Sequence, residues 1–384
     1  MEEEAVVALN PTSIPGILTA RAATHGADIV LRKKDYGIWK ATTWSELDRH
    51  VRAVGAGLRA IGFRPGDVAC VIAETRPEWA FIDLGILGAG GVSGGIHPEQ
   101  EPEALGQTLI ESDCRVLFVE NEEQLDKALL VRGRCAALQR IVIIDMKGLR
   151  GFADPMCESL QSFVARGPEI AGWDAGIAAI EMEQPAVLLV PRSGASRTLT
   201  HGDALHLIAR ARPLLGLHAG DERLALLPMC HVMERILGLY LSLDMRVTIN
   251  YLENPDTAVE NLQEVQPTVL ATDARIWELL HARIERAAAT ATSLQRFLYR
   301  WAIVTGTRGK IVAMLARFFV LRAVRRELGL NRLRVAYLGG TRLAPEIERW
   351  ALSLGIAIRR LNGETRDVEL DARYHALMQA AYGT

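Results

Sequence analysis

Short apolar runs alternate along this chain with segments of helical period, and that alternation admits few folds, because helices must then cover the faces of mainly parallel sheets. Near the start, Thr43 and Glu46 stand three apart, as in a capping box. Leu47, Val51, Val54, Leu58 and Ile61 follow at helical spacing, and Gly62 is placed to end the helix. Pro65-Gly66-Asp67 then turns the chain into Val68 to Ile72, an apolar run typical of a buried parallel strand. Further strand-like runs lie at Arg115 to Val119, Ile141 to Asp145, Ala186 to Val190, Leu224 to Pro228 and Val247 to Tyr251. Thr268 to Thr272, Val335 to Leu338 and Ile356 to Leu361 complete the series. The expected fold class is α/β, with two layered α/β subdomains and mainly parallel sheets.

Gly167-Pro168 and Gly172-Trp173-Asp174-Ala175-Gly176 break the rhythm between 167 and 185, which divides the chain into subdomains 1–180 and 181–384. A length of 384 residues leaves room for two such units with sizeable cores. Gly88 to Gly95 is glycine-dense but lacks the strand-then-helix setting of a dinucleotide fingerprint, so it reads as a tight connection between packed elements. Gly306-Thr307-Arg308-Gly309-Lys310 lacks the spacing and the trailing hydroxyl of a P-loop.

The net charge is only −2 and the charges are interspersed, so the basic footprint of a nucleic-acid binder is missing. Cys70, Cys114, Cys135, Cys157 and Cys230 have neither zinc-site spacing nor an even count, and read as reduced thiols. Met1-Glu2-Glu3-Glu4 is the opposite of a positive secretory leader, and a cytoplasmic location is expected. Ile311 to Leu321 is interrupted by Arg317 and too short to span a bilayer. Arg308, Lys310, Arg317, Arg322, Arg325 and Arg326 flank Phe318 and Phe319. A core-packed helix with solvated arginines is the first reading of this stretch; peripheral membrane contact through 308–326 is the second.

Four separated blocks carry a resemblance. They are Leu227-Pro228-Met229-Cys230-His231-Val232-Met233-Glu234-Arg235, then Glu253-Asn254-Pro255-Asp256-Thr257 through Glu264-Val265-Gln266-Pro267-Thr268. Arg275-Ile276-Trp277-Glu278 and Leu338-Gly339-Gly340-Thr341-Arg342-Leu343-Ala344-Pro345-Glu346-Ile347 follow. In order and spacing these resemble the long-chain fatty acyl-CoA ligase branch of the AMP-binding, adenylate-forming enzymes, and Thr43 to Asp113 is similar to the opening region of that family. The resemblance implies the N-terminal domain of an adenylate-forming enzyme. It also implies a two-step reaction: a carboxylate attacks the α-phosphate of ATP, and the thiol of coenzyme A then displaces AMP.

Three departures from the family pattern bear on that chemistry. The family's loop of the form T-S-G-T-T-G-x-P-K-G surrounds the outgoing phosphates with backbone NH groups, hydroxyls and a lysine. Here the stretch reads V-P-R-S-G-A-S-R-T-L-T-H-G-D from Val190 to Asp203: Ser193 and Gly194 remain, about five residues are missing, and Arg197 supplies one positive charge on a shortened loop, away from where the longer loop places its ammonium. Gly339, Gly340 and Thr341 are the other nucleotide-loop candidates that the resemblance supplies. Where the family reads G-Y-G-x-T-E, this chain has Arg360-Leu361-Asn362-Gly363-Glu364-Thr365. Leu361 replaces the ring that lies on adenine, and Glu364 aligns with the metal-binding carboxylate only when a one-residue deletion is allowed; a solvated loop after a strand is the other reading of Glu364 and Thr365. After Thr365 only Arg366 to Thr384 follow, so no C-terminal lid domain is expected.

His231 and Trp277 are the acyl-pocket candidates that the resemblance supplies. The alternatives are a structural histidine at a strand end and a core tryptophan. Cys230 and His231, if adjacent on a strand, point to opposite faces and do not pair. Two readings of function stand. In the first, the chain is a catalytically inactive homologue that binds a fatty acyl ligand or a partner, either another copy or an active paralogue, and no cofactor is expected. In the second, it is an active AMP-forming ligase completed by another chain, and then requires ATP, Mg and CoA with Glu364 as a metal ligand. A purely structural subunit is a third possibility.

Overall fold

The capping box is formed as read. The Thr43 hydroxyl accepts the Glu46 N–H, the Glu46 carboxylate accepts the Thr43 N–H, and the helix Trp44–Ala60 follows. Its buried face presents Leu47, Val51, Val54 and Leu58, four of the five apolar positions that mark it in the sequence. The computed structural model describes residues 11–167, 171–191, 196–305, 320–339 and 343–360.

Two seven-stranded sheets organise these residues. In chain order the strands are β1 (Ile29–Asp35), β2 (Ile38–Thr43), β3 (Val68–Ile72), β4 (Val92–Ile96), β5 (Cys114–Val119), β6 (Arg140–Ile143) and β7 (Cys157–Ser159). The second seven are β8 (Pro185–Leu189), β9 (Arg197–Thr200), β10 (Glu222–Ala225), β11 (Thr248–Tyr251), β12 (Val269–Thr272), β13 (Val335–Leu338) and β14 (Ile358–Arg360). The first sheet has the order β7-β6-β5-β3-β4-β8-β9, and the second β14-β13-β12-β10-β11-β1-β2. Pairing is parallel except for one antiparallel hairpin at an edge of each sheet, β8–β9 and β1–β2. This is the mainly parallel α/β arrangement that the alternating pattern implies.

The sheets and the division at 180/181 partition the chain differently. The hairpin β1–β2 crosses to the second sheet, where Leu31 pairs with Ile249, and the hairpin β8–β9 returns to the first, where Gly95 pairs with Leu189. A central core fills the space between the sheets, with Val71, Phe118 and Val187 contributed by one and Leu31, Ile249 and Tyr337 by the other. Separate clusters lie under the outer helices of each sheet. Trp173, in the stretch expected to mark a boundary, is buried in the central core, its ring against Gly55 and Gly88, which have no side chains to obstruct it. Cys70, Cys114, Cys135 and Cys157 are free thiols. Among the described residues no helix is long and apolar enough to cross a membrane.

Two local expectations are corrected. Gly88 to Gly95 is not merely a connection, since β4 occupies its second half as a fully buried central strand. The absent side chains explain why: a Cβ on Gly95 would lie 2.9 Å from the Cys230 backbone and 3.1 Å from the Trp79 ring. The run from Leu224 to Pro228 is strand only as far as Ala225, so Cys230 and His231 lie beyond it in a turn, and the opposite-faces argument does not apply to them.

Candidate functional site

Both sheets reverse their strand order at an internal point, β3/β4 in one and β10/β11 in the other. In open parallel sheets such a switch point leaves a crevice at the carboxyl ends of the strands, where connections diverge. The segment Leu226–His231 leaves the carboxyl end of β10 at that point. It is tied to the first sheet by Thr75, which follows β3: the Thr75 hydroxyl donates to the Leu227 carbonyl at 2.7 Å and accepts the Met229 N–H at 3.1 Å. Cys230 lies over Gly95, and the ladder partner of Gly95 is Leu189, the last residue of β8. His231 therefore sits close to where the shortened connection begins.

That connection runs from Val190 to Ser196, seven residues without a lysine, between β8 and β9. Arg197 opens β9, with Leu189 as its register partner, and its side chain is exposed. Its backbone belongs to a sheet ladder. Thr200 caps the helix His201–Leu215 through a second capping box, with Asp203 in the Glu position. Ser193 and Gly194 lie outside the described residues.

At the carboxyl end of β13, Gly339 is buried and donates its N–H to the Thr272 carbonyl at 3.0 Å. The Thr272 hydroxyl beside it is buried and has no hydrogen-bond partner among the described residues. Asp273 caps the helix Ala274–Thr290 by accepting the Ile276 N–H. Gly340, Thr341, Leu361, Glu364 and Thr365 lie outside the described residues. Among the described residues no three His, Cys, Asp or Glu side chains gather as a metal site.

His231 and Trp277 are not brought together. Trp277 is fully buried in the outer cluster of the second sheet, among Leu224, Leu262 and Leu280. It is a core side chain, the second of the two readings open in the sequence. His231 is half-buried at the start of a wide-turned π-helical segment, Met233–Tyr240, and its Nδ1 accepts the Met233 N–H at 3.4 Å.

The π segment holds two buried ion pairs that sequence reasoning did not find. Glu234, within the Leu227–Arg235 block, meets the Arg223 guanidinium in two contacts of 2.7 Å. Arg235 pairs with Asp83 of the helix Pro77–Gly88 and donates to the Ser93 carbonyl at 2.8 Å and to the Tyr240 hydroxyl at 3.0 Å. Burial, and secondarily the Glu234 charge, push the Tyr251 phenol above its ordinary range. An inserted π turn is a recurrent mark of functional positions. The signal available in the sequence was the pair of adjacent charges Glu234-Arg235 inside an otherwise apolar run.

Comparison with known proteins agrees with this geometry. A family described as AMP-binding enzyme matches residues 18–180 and 198–363. The interruption, 181–197, covers β8 and the shortened connection. The long-chain-fatty-acid–CoA ligase FadD15 of Mycobacterium tuberculosis is 26% identical over 340 residues, 84% of this chain and 55% of the relative. The long-chain-fatty-acid–CoA ligase ACSBG2 of Rattus norvegicus is 25% identical over 387 residues, 92% of this chain and 57% of the relative. The chain thus spans about half the length of the curated relatives it matches. The adenylation domain of a carboxylate reductase from Mycobacterium chelonae superposes with a TM-score of 0.71 at 18% identity, covering 92% of this chain and 57% of that one. The anthranilate CoA ligase AuaEII, solved with anthranoyl-AMP, gives a TM-score of 0.67 at 16% identity, covering 90% of this chain and 58% of that one. At these identities the superpositions speak to the fold.

Proposed function

The chain belongs to the family of AMP-binding enzymes, and from that premise we propose that it is a catalytically silent homologue of the long-chain fatty acyl-CoA ligases, holding a fatty acyl ligand without activating it. One observation carries the proposal: the connection between β8 and β9 is seven residues long and contains no lysine. Adenylation builds negative charge on the departing pyrophosphate, and donors already aimed at that charge normally contribute most to the rate. A connection of seven residues has fewer backbone NH groups than the longer family loop, and a guanidinium at Arg197, whose backbone pairs with Leu189, does not sit where that loop places its ammonium. Losses of this kind weaken the transition state more than the ground state.

The retained groups favour ligand binding. His231 follows the carboxyl end of β10 at the strand-order reversal, and two buried ion pairs join the π segment to β10 and to the helix Pro77–Gly88. The protein partner consistent with this role is another copy or an active paralogue. The alternative is an active AMP-forming ligase, completed by another chain and using ATP, Mg and CoA; the ligase names of its relatives support it.

Fatty-acid-dependent pyrophosphate release separates the two. With ATP, magnesium and palmitate, the purified chain is expected to release none above background, and calorimetry is expected to show no micromolar affinity for magnesium-ATP. A fluorescent fatty acid should bind all the same, with altered affinity in His231→Ala. Turnover that disappears in Glu364→Gln would establish the active ligase instead, and absence of fatty acid binding would favour a structural subunit.

A further inference from the structure

The turn that carries His231 has two moorings, and both belong to one unit of the first sheet. On its amino side, the backbone groups flanking Pro228 go to a single hydroxyl: Thr75 donates to the Leu227 carbonyl at 2.7 Å and accepts the Met229 N–H at 3.1 Å. On its carboxyl side, the His231 carbonyl accepts the Arg235 N–H at 2.9 Å, and the Arg235 guanidinium is paired with Asp83. Thr75 lies just past the end of β3, and Asp83 lies in the helix Pro77–Gly88 that follows. Between the moorings the Pro228 carbonyl accepts the His231 N–H at 2.9 Å, which closes the turn.

The amino-side mooring takes the place of a strand neighbour. β10 ends at Ala225, so Leu227 and Met229 have left the ladder while both remain buried in the central core. Backbone groups in such a position need partners, and Pro228 between them has no N–H with which to extend a ladder. A hydroxyl carries one donor and two acceptor lone pairs, so one side chain can satisfy a carbonyl and an N–H together. Valine has the shape of threonine and neither capacity. Serine keeps both.

We infer that Thr75 is a positioning residue for His231: its hydroxyl fixes the path of Leu227 to Met229, and through the turn it fixes the place from which the imidazole meets a ligand. The bearing on a ligand rests on the fatty acyl reading above; the placement of the imidazole does not. Without the hydroxyl the carboxyl-side mooring at Asp83 remains, so the chain keeps its fold while the turn gains freedom. A binding group must be held within about 0.5 Å of its productive place, so this freedom costs affinity.

Two readouts on the full chain test the inference. One is the imidazole resonance of His231 in protein carrying labelled histidine, assigned as the signal that His231→Ala removes; the other is the affinity for a fluorescent fatty acid. Thr75→Val should displace the resonance and weaken fatty acid binding about threefold to tenfold, the scale of one or two hydrogen bonds. Thr75→Ser should restore both to within about twofold of the parent. The control is Thr268→Val, at the amino end of β12, where a hydroxyl likewise accepts an N–H, from Glu222 at 2.9 Å, and donates, to Asp221 at 2.7 Å. It should lower the urea midpoint as Thr75→Val does and leave the His231 resonance and fatty acid affinity alone. Thr75→Ala gives the same comparison should the valine variant fail to fold. An unmoved resonance in Thr75→Val, a serine variant that behaves like valine, or an equal displacement in Thr268→Val would overturn the inference. A parent that binds no fatty acid would refute the fatty acyl reading and the effect on affinity with it, while the resonance still decides whether Thr75 places the imidazole.

Discussion

Arg235 and Asp83 form an ion pair with no solvent exposure on either side chain, joining the π segment to the helix Pro77–Gly88 across 152 residues of sequence. The Arg235 guanidinium also lies over the Trp79 ring, 5.0 Å from its centroid, and Asp83 accepts from both the Ser93 and Tyr240 hydroxyls at 2.6 Å. Removing one charge would leave the other buried and unpaired. Asp83→Asn is therefore expected to cost about 3–5 kcal/mol in urea unfolding, and Asp83→Leu combined with Arg235→Met should cost less than either charge removed alone. A loss under about 1 kcal/mol for Asp83→Asn would mean that the charge contributes little.

Gly238 lies against the second pair. A Cβ there would collide with the Arg223 guanidinium and come within 2.8 Å of the Glu234 carboxyl. Gly238→Ala should destabilise by about 1–3 kcal/mol, although alanine is the better helix former. The penalty should shrink in an Arg223→Met background, which a double-mutant cycle measures.

His201 supplies a pH dependence. It is buried, and its Nδ1 accepts the Ile14 N–H at 3.2 Å. Burial disfavours the charged imidazole and lowers its pKa from 6.5 to about 4. Between those values the unfolded chain holds a proton that the folded one lacks. Stability from this group is complete above about pH 6.5 and declines as the pH falls toward 4, by up to about 3 kcal/mol. In His201→Gln, whose amide oxygen can still accept, denaturation midpoints across that window should decline less.

Trp277→Ala distinguishes core from pocket. With its ring fully buried among leucines, the substitution should cost about 3–5 kcal/mol in thermal or chemical unfolding. At a temperature where the variant remains folded, fatty acid affinity should match the parent. A stable variant with weakened fatty acid binding would return Trp277 to the acyl pocket.

What the sequence disclosed follows the depth of burial. β3 spans the residues read as a strand, Val68–Ile72, because burial on both faces writes an unbroken apolar run. The edge strands β2 and β9, and β1 beside the edge, carry Lys, Thr and Lys-Lys residues on half-solvated faces, so neither an apolar run nor a clean alternation marks them. β4 was hidden by Ser93, Gly94 and Gly95, a composition that signals turns unless another element presses against the strand. The site was legible as blocks: the segment before His231, Gly339 and the short connection all lie at the carboxyl edges of the sheets. Where Cys230 and His231 lie depended on where β10 ended, three residues before the end of the run read as a strand, a boundary that local pattern does not fix.

The exchange of hairpins between the sheets bears on how the chain is made. β1 leaves the ribosome well before β11, yet the register partner of Leu31 is Ile249. Until that later strand is synthesised, one edge of β1 has no ladder to join and must be shielded or left dangling. Assembly of the second sheet is thereby postponed until β11 has been made, and β1 stays dependent on what has not yet been added.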